Sequence, residues 1–105
     1  MRGHGGWRMT RAQKARANRA AEQYAAQWVG QRARAVEVAR RAENAQHEAR
    51  IIGCGLLVED AGRVARWARE AIVSREDESA LLADCEGELA VIAEELELLT
   101  QEARS

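Results

Sequence analysis

Proline and phenylalanine are absent from this 105-residue chain, and threonine occurs only at positions 10 and 100. Aromatic residues make up 4% of the sequence, and they are Trp7, Tyr24, Trp28 and Trp67. Because β-strands are rich in aromatic and β-branched residues, these shortages argue against an all-β or α/β fold. Alanine, with 22 residues, and charged residues, at 31%, are abundant instead. This composition favours helix almost throughout.

Long apolar runs and a set of cysteines are also missing. A membrane span needs about 18 apolar residues, whereas the longest run, residues 51–58, is short and contains two glycines. The first nine residues hold no apolar segment, so we expect no signal peptide. Two cysteines, Cys54 and Cys85, do not make a disulfide scaffold. We therefore expect a cytoplasmic protein with no membrane partner.

The length predicts one domain at most. We expect a flexible leader over residues 1–9, which contain three glycines, and a single helical domain over residues 10–105. Fifteen of the sixteen basic residues are arginine, which we attribute to the codon usage of a GC-rich genome. Such a composition is typical of a bacterial or bacteriophage accessory protein.

The spacing of small and apolar residues in the first half predicts a long helix over residues 10–52. Thr10 can cap a helix that starts at Arg11. From there small and apolar residues recur in alternating steps of four and three, with Gln31 in the one missing place. We name this pattern the first seam; it consists of Ala17, Ala21, Tyr24, Trp28, Ala35, Val38, Ala42, Ala45, Ala49 and Ile52. It is the heptad repeat of a coiled coil.

A turn is predicted at residues 53–55, where Gly53 and Gly55 flank Cys54. A second seam follows with the same spacing and predicts a helix over residues 56–103. The second seam consists of Leu57, Ala61, Val64, Ala68, Ala71, Leu82, Cys85, Leu89, Ile92, Leu96 and Leu99. Its polar occupants are Arg75 and Glu78.

These seams predict an all-α, coiled-coil-like antiparallel helical hairpin. Folding the chain back around Cys54 places Gln31 opposite Arg75 and Glu78, so the irregularities of both seams meet at one level. The alternative is a three-helix bundle, because Ser74 followed by acidic residues could cap a new helix and break the second one near 74–79.

Charge is divided between the halves of the chain. Residues 1–50 carry eleven basic and four acidic residues, a net charge of +7, whereas residues 51–105 carry a net charge of −8. An antiparallel hairpin would bring the basic start of the first helix beside Glu94, Glu95 and Glu97. Each cluster would then offset the unfavourable helix dipole of the other.

Four apolar residues flank the second seam and have no partner in a two-helix hairpin: Trp67, Leu81, Val91 and Leu98. We expect them to contact another copy of the chain or a helical protein partner. This expectation is strengthened by the alanine-rich first seam, which buries little apolar area.

Four arginines near the start of the chain occupy one arc of about 140° on the predicted helix. They are Arg8, Arg11, Arg16 and Arg19. The arc lies opposite the first seam, so these side chains point away from a helical partner. They are candidates for binding an anionic partner, either a phosphate-bearing molecule or an acidic protein.

Catalytic and metal-binding patterns are missing. The possible metal ligands His4, His47, Cys54 and Cys85 are too few for a zinc site, and two turns of helix, about 10 Å, separate His47 from Cys54. Neither cysteine has a nucleophile's His/Asp arrangement, and no Lys-Ser/Thr follows the glycines at the turn. We expect no enzyme activity, no metal and no cofactor.

The sequence thus favours a structural or adaptor protein that acts through helical self-association or through docking to a protein partner. The alternative is weak, non-specific nucleic-acid binding through the basic N-terminal helix. In the predicted hairpin, Glu94, Glu95 and Glu97 would lie at that same end and repel a nucleic acid. We therefore expect a protein partner rather than a nucleic acid.

Overall fold

The fold comes from a computed structural model that describes residues 9–104, so the leader residues 1–8, Arg8 among them, lie outside the described residues. Within this range the chain forms three helices and no strand. They are α1 (Arg11–Ile52), α2 (Gly55–Val73) and α3 (Ser79–Arg104). The all-α class is confirmed, and the arrangement is a three-helix bundle.

The first helix begins where the sequence predicts. The Thr10 hydroxyl accepts a hydrogen bond from the backbone N–H of Gln13 at 3.1 Å. The Gln13 side chain in turn accepts one from the Thr10 N–H at 2.8 Å. This reciprocal pair is a capping box, which satisfies two N–H groups that a helix start otherwise leaves unpaired.

The turn between α1 and α2 confirms the turn predicted at 53–55. Gly53 has φ 85°, a left-handed conformation that glycine adopts without a steric penalty. The N–H groups of Gly53 and Cys54 both donate to the Ala49 carbonyl at 2.9 Å, which closes the end of α1. The Gln46 amide then reaches across to the Val58 carbonyl at 3.2 Å, so α1 and α2 pack antiparallel.

The second predicted helix, 56–103, is wrong as one element, because it ends at Val73 and a new helix begins at Ser79. Ser74 leaves the helix with an extended ψ of 143°. Its hydroxyl accepts from the Glu76 N–H at 3.1 Å and donates to the Glu78 carboxylate at 2.9 Å. Such local bonds compete with the helical ladder, which is why the chain turns here.

Asp77 makes local hydrogen bonds of the same kind just before α3 begins. Its carboxylate accepts hydrogen bonds from the hydroxyl and the N–H of Ser79, at 2.6 and 2.9 Å. Both bonds favour the ionised form and lower the pKa of Asp77. The break that the sequence allowed near 74–79 is therefore real, and it reverses the direction of the chain.

Gln31 connects α1 to this loop. Its side-chain nitrogen donates to the Glu76 carbonyl at 2.9 Å, and its oxygen accepts from the Glu78 N–H at 2.8 Å. Gln31 is only 9% exposed and is the one buried polar residue among those described. The irregular place in the first seam thus lies opposite the irregular place in the second, as the sequence predicts.

The core is built from the two seams. Every second-seam residue predicted to face the core is buried except Leu99, which is half-buried. The first seam is buried or half-buried from Ala35 to Ile52, whereas Ala17, Ala21 and Tyr24 are exposed. The bundle therefore uses only the second half of the first seam.

The third helix runs parallel to α1 because the loop reverses the chain. Arg34 pairs with the Glu86 carboxylate, with Nε to Oε2 at 3.1 Å, and this pairing lowers the pKa of Glu86. Further along, Glu97 lines a cleft with Arg41 and Glu48 of α1. The expectation that Glu94, Glu95 and Glu97 lie beside the basic start of α1 is therefore wrong.

We expect Gln31→Leu to destabilise the fold by about 1–2 kcal/mol, because it leaves the Glu78 N–H and the Glu76 carbonyl without their partner. The free energy of unfolding in urea measures this loss. Gln23→Leu, the same change at an exposed site on α1, is the matched control and should stay within about 0.5 kcal/mol of the wild type. Equal effects of the two substitutions would contradict this role of Gln31.

Candidate functional site

The start of α1 extends beyond the other two helices, and it is the first of two candidate contact surfaces. We call residues 11–27 the arm. Sixteen of its seventeen residues are exposed, and the seventeenth, Ala15, is half-exposed. At 1.5 Å per residue the arm is about 25 Å long, and it accounts for much of the molecule's 78 Å length. Only its last turn, from Tyr24, borders the loop between α2 and α3.

One face of the arm continues the first seam. We call this face the arm stripe, and it consists of Lys14, Ala17, Ala21 and Tyr24 together with Trp28, the residue that follows the arm. The Tyr24 and Trp28 rings meet edge to face with centroids 5.3 Å apart. Tyr24 is 58% exposed, while Trp28 is half-buried beside the loop. Since the steps of three and four run unbroken into the buried part of α1, the arm stripe points in the same direction as the core face.

The predicted arginine cluster lies on the other face of the arm. Arg11, Arg16 and Arg19 are all exposed there, and Arg8 lies outside the described residues. With Lys14 and the single acidic residue Glu22, the arm carries a net charge of +3. It is thus a basic helix with an apolar stripe.

The second feature is a groove between α2 and α3. It is lined by Leu57, Asp60, Trp67, Leu81, Ala83, Asp84, Gly87, Glu88, Val91, Ile92 and Glu95. We call it the acidic groove. It brings together three of the four surplus apolar residues, namely Trp67, Leu81 and Val91. The fourth, Leu98, is 57% exposed and lies three residues beyond Glu95 on the same side of α3.

The sign of the charge distinguishes this groove from the other two. Four carboxylates and no basic side chain are among the residues that line it, and one of the four, Asp60, pairs with Arg63 outside the lining at 2.9 Å. The groove between α1 and α2 presents Arg63, Arg66 and Arg69. The groove between α1 and α3 is balanced, with two arginines and two glutamates. The groove between α1 and α2 also holds Glu59, so the acidic groove is the one of these three without a basic lining residue, and it attracts a basic helix most.

Gly87 lies in the acidic groove for no reason internal to the fold. A Cβ added there would meet nothing within 4 Å, and its φ is not positive. Glycine inside a helix costs about 1 kcal/mol relative to alanine. Gly30 in α1 is equally open, so Gly87 is distinguished by its place in the groove, where a small residue lets another backbone approach closely.

The acidic residues of the groove and Gly87 were missed by sequence reasoning. A signal was present, since one face of α3 repeats the steps of three and four next to the second seam. This face consists of Leu81, Asp84, Glu88, Val91, Glu95 and Leu98. Because apolar and acidic residues are mixed on this face, a search for apolar spacing alone does not detect it.

Groups that could bind a metal ion or act as a nucleophile are sparse among the described residues. Within residues 9–104 no three His, Cys, Asp or Glu side chains are placed to hold a metal ion. Cys54 and Cys85 are both free thiols. Burial and the neighbouring carboxylates raise the pKa of Cys85, which keeps it protonated and poorly nucleophilic. None of the described helices has the length and apolar character needed to cross a membrane.

Comparison of the chain with protein-family models, with curated proteins and with solved structures finds no match. The arm and the acidic groove are thus the features from which a function must be inferred.

We expect Gly87→Ala to stabilise the isolated chain by about 0.5–1 kcal/mol, because the helix gains propensity and the new methyl group meets open space. Urea unfolding at low protein concentration measures the change. Gly62→Ala is the control, since its Cβ would lie 2.6 Å from Gln46 Nε2 and displace that side chain from its bond to Val58. It should gain clearly less, and a larger gain at Gly62 would refute this reading of Gly87.

Proposed function

We propose that this protein is a non-catalytic structural or adaptor protein that works through helical self-association or by docking to a helical protein partner. The observation that carries the proposal is the arm. It is a 17-residue extension of a core helix, and its stripe is exposed at Lys14, Ala17, Ala21 and Tyr24 among the described residues.

Little stabilises the arm within its own chain beyond its capping box and its continuity with the rest of α1. Helices shorter than about 12–15 residues are marginal in water, and longer ones without packing fray at their ends. The first turn of α1 holds no acidic residue, while Arg11 and Lys14 oppose the helix dipole there. Packing of the arm stripe against another protein would supply the missing stabilisation.

The acidic groove gives the same protein a second surface for contact. Val91 is 53% exposed and Leu98 is 57% exposed, although each is large and apolar. Placed on one face of α3, they are available to a partner helix. The protein therefore has two surfaces for contact with a partner, the arm stripe and the acidic groove with its exposed apolar residues, which supports the adaptor role.

The proposed location is the cytoplasm. It rests on the two free cysteines, one of which is buried, since a reducing compartment keeps such thiols unpaired.

Nucleic-acid binding through the arm is the second candidate function. The structure favours it more than the sequence did, because Glu94, Glu95 and Glu97 lie on α3 and no longer face the arm's start. The arm's net charge of +3 is therefore not neutralised by its own chain. No side chain there is arranged to read base edges, so binding would be non-specific.

The proposal predicts that the protein forms a dimer or a higher oligomer at micromolar concentration. Light scattering coupled to size-exclusion chromatography measures the mass directly. A clean monomer that melts cooperatively above about 60 °C would contradict self-association, because a lone bundle of this alanine-rich composition should not be that stable.

The second candidate predicts weak binding to duplex DNA that does not depend on sequence. Contact with about four phosphates gives a log–log slope of affinity against salt near −3.6. Fluorescence anisotropy from low to physiological salt measures this slope, with Arg11, Arg16 and Arg19 replaced by alanine as the comparison. Tight, sequence-selective binding at physiological salt, lost in that variant, would reverse the order of the two candidates.

A further inference from the structure

We infer that the arm of one copy of this chain fills the acidic groove of a second copy, and that the arm of the second copy fills the groove of the first. The product is a closed two-fold dimer. This inference rests on the proposed function and names the partner: a second copy of the chain.

The arm cannot reach its own groove. Residues 11–52 form one uninterrupted helix, so the arm leaves the bundle at the loop end and points away from it. The acidic groove runs the other way, from Trp67 and Leu81 near the loop toward Leu57 and Glu95. Only another molecule can bring an arm into it.

The direction of the arm stripe fits this exchange. Because the stripe is in phase with the core face of α1, it points toward the side on which α2 and α3 lie. In a two-fold dimer with antiparallel α1 helices, this is the side on which the partner's α2 and α3 lie beside the arm. The C-terminal part of each α1 would then pack in its own bundle, and its arm would pack on the α2 and α3 of the other copy.

The lengths of the two surfaces agree. From Lys14 to Trp28 the arm stripe spans the same number of residues as the groove face of α3 from Leu81 to Glu95. Each therefore measures about 21 Å along its helix. An arm placed in the groove would turn each three-helix bundle into four packed helices.

Charge selects this pairing over its rivals. The arm carries +3, so two arms placed side by side would repel each other, and the groove between α1 and α2, with three arginines and one glutamate, is less favourable for a basic arm than the acidic groove. The acidic groove has carboxylates and no basic residue among those that line it. Arg11, Arg16 and Arg19 lie on the face of the arm opposite the stripe, so Lys14 is the basic side chain that enters the groove and can pair with a carboxylate there, while the arginines add a longer-range attraction.

The register follows from the ends of the two surfaces. An arm antiparallel to α3 places Lys14 opposite Glu95 and Trp28 opposite Leu81. Ala21 then lies one residue from the level of Gly87, where small residues on both sides allow close packing, and Ala17 lies level with Ile92. Within one chain, α3 starts level with Gln31. In this register a two-fold axis near the level of Trp28 relates the two copies, so both arm–groove contacts form at once.

The test uses two full-length variants, each changed at exposed positions so that the bundle itself is untouched. The arm variant carries Ala21→Asp and Tyr24→Asp, and the groove variant carries Gly87→Leu and Val91→Arg. Each variant alone should be monomeric at concentrations where the wild type is a dimer. An equimolar mixture should give a 1:1 heterodimer, because one intact arm can still enter one intact groove. Native mass spectrometry identifies it.

Two substitutions with the same charge changes serve as controls. Arg19→Glu lies on the opposite face of the arm from the stripe, and Glu94→Arg lies on α3 outside the groove lining. Both should leave the dimer intact. Lys14→Glu and Glu95→Lys should each weaken it several-fold, and combining them in one chain should restore most of the affinity, which tests the register. Circular dichroism of every variant checks that the helices remain.

The outcomes separate this inference from the proposed function. A wild-type dimer that the groove variant leaves intact, or variants that stay monomeric when mixed, would overturn the arrangement and leave self-association standing. A monomeric wild type would overturn this inference and the self-association form of the proposed function, and would leave docking to a different helical protein as its remaining form. A monomer whose mass rises only when duplex DNA is added would overturn this inference and assign the arm to nucleic acid.

Discussion

Two hydrogen bonds of the Gln31 side chain, one donated to the Glu76 carbonyl and one accepted from the Glu78 N–H, tie the loop between α2 and α3 to α1. Without a polar side chain at that level of α1, the loop after Ser74 would have no partner in the bundle. With it, the loop is tied to α1 and α3 is directed back along the same helix. Burial of a polar residue is costly unless its bonds are satisfied, and here both ends of the amide are used. Everything beyond the loop, including the acidic groove, depends on this reversal.

The reversal also decides how the molecule's charge is displayed. A two-helix hairpin would have set the acidic end of the chain against its basic start, so the two would have neutralised each other. Because α3 turns back instead, Glu97 lies near Arg41 and Glu48, and the basic arm is left without acidic residues beside its start. The described chain thus shows a positive extension at one end and a negative groove along one side. A dipolar surface of this kind favours contacts between copies or with other charged molecules.

Much of the fold could be read from the sequence because heptad spacing is a strong signal. The Thr10 cap, the glycine turn and the second seam were all predicted correctly. The sequence allows a break near 74–79 without deciding it, because Arg75 and Glu78 keep the period, and the local bonds of Ser74 and Asp77 decide against a helix. The groove could not be predicted because it exists only once α3 has folded back. Trp67, Leu81 and Val91 signalled a surplus of apolar area, but their acidic neighbours had no apolar spacing to reveal them.

The unbroken backbone of α1 has a consequence for how this chain can change in length. Since each residue turns a helix by about 100°, inserting one residue between the arm and Gln31 would swing the stripe away from the side that α2 and α3 occupy. Inserting seven would lengthen the arm by about 10 Å and rotate it by only about 20°. The arm can therefore grow or shrink in whole heptads while keeping its orientation. Because one helix runs through both the core and the arm, the arm can change length only in steps of seven residues if the stripe is to keep facing the same side.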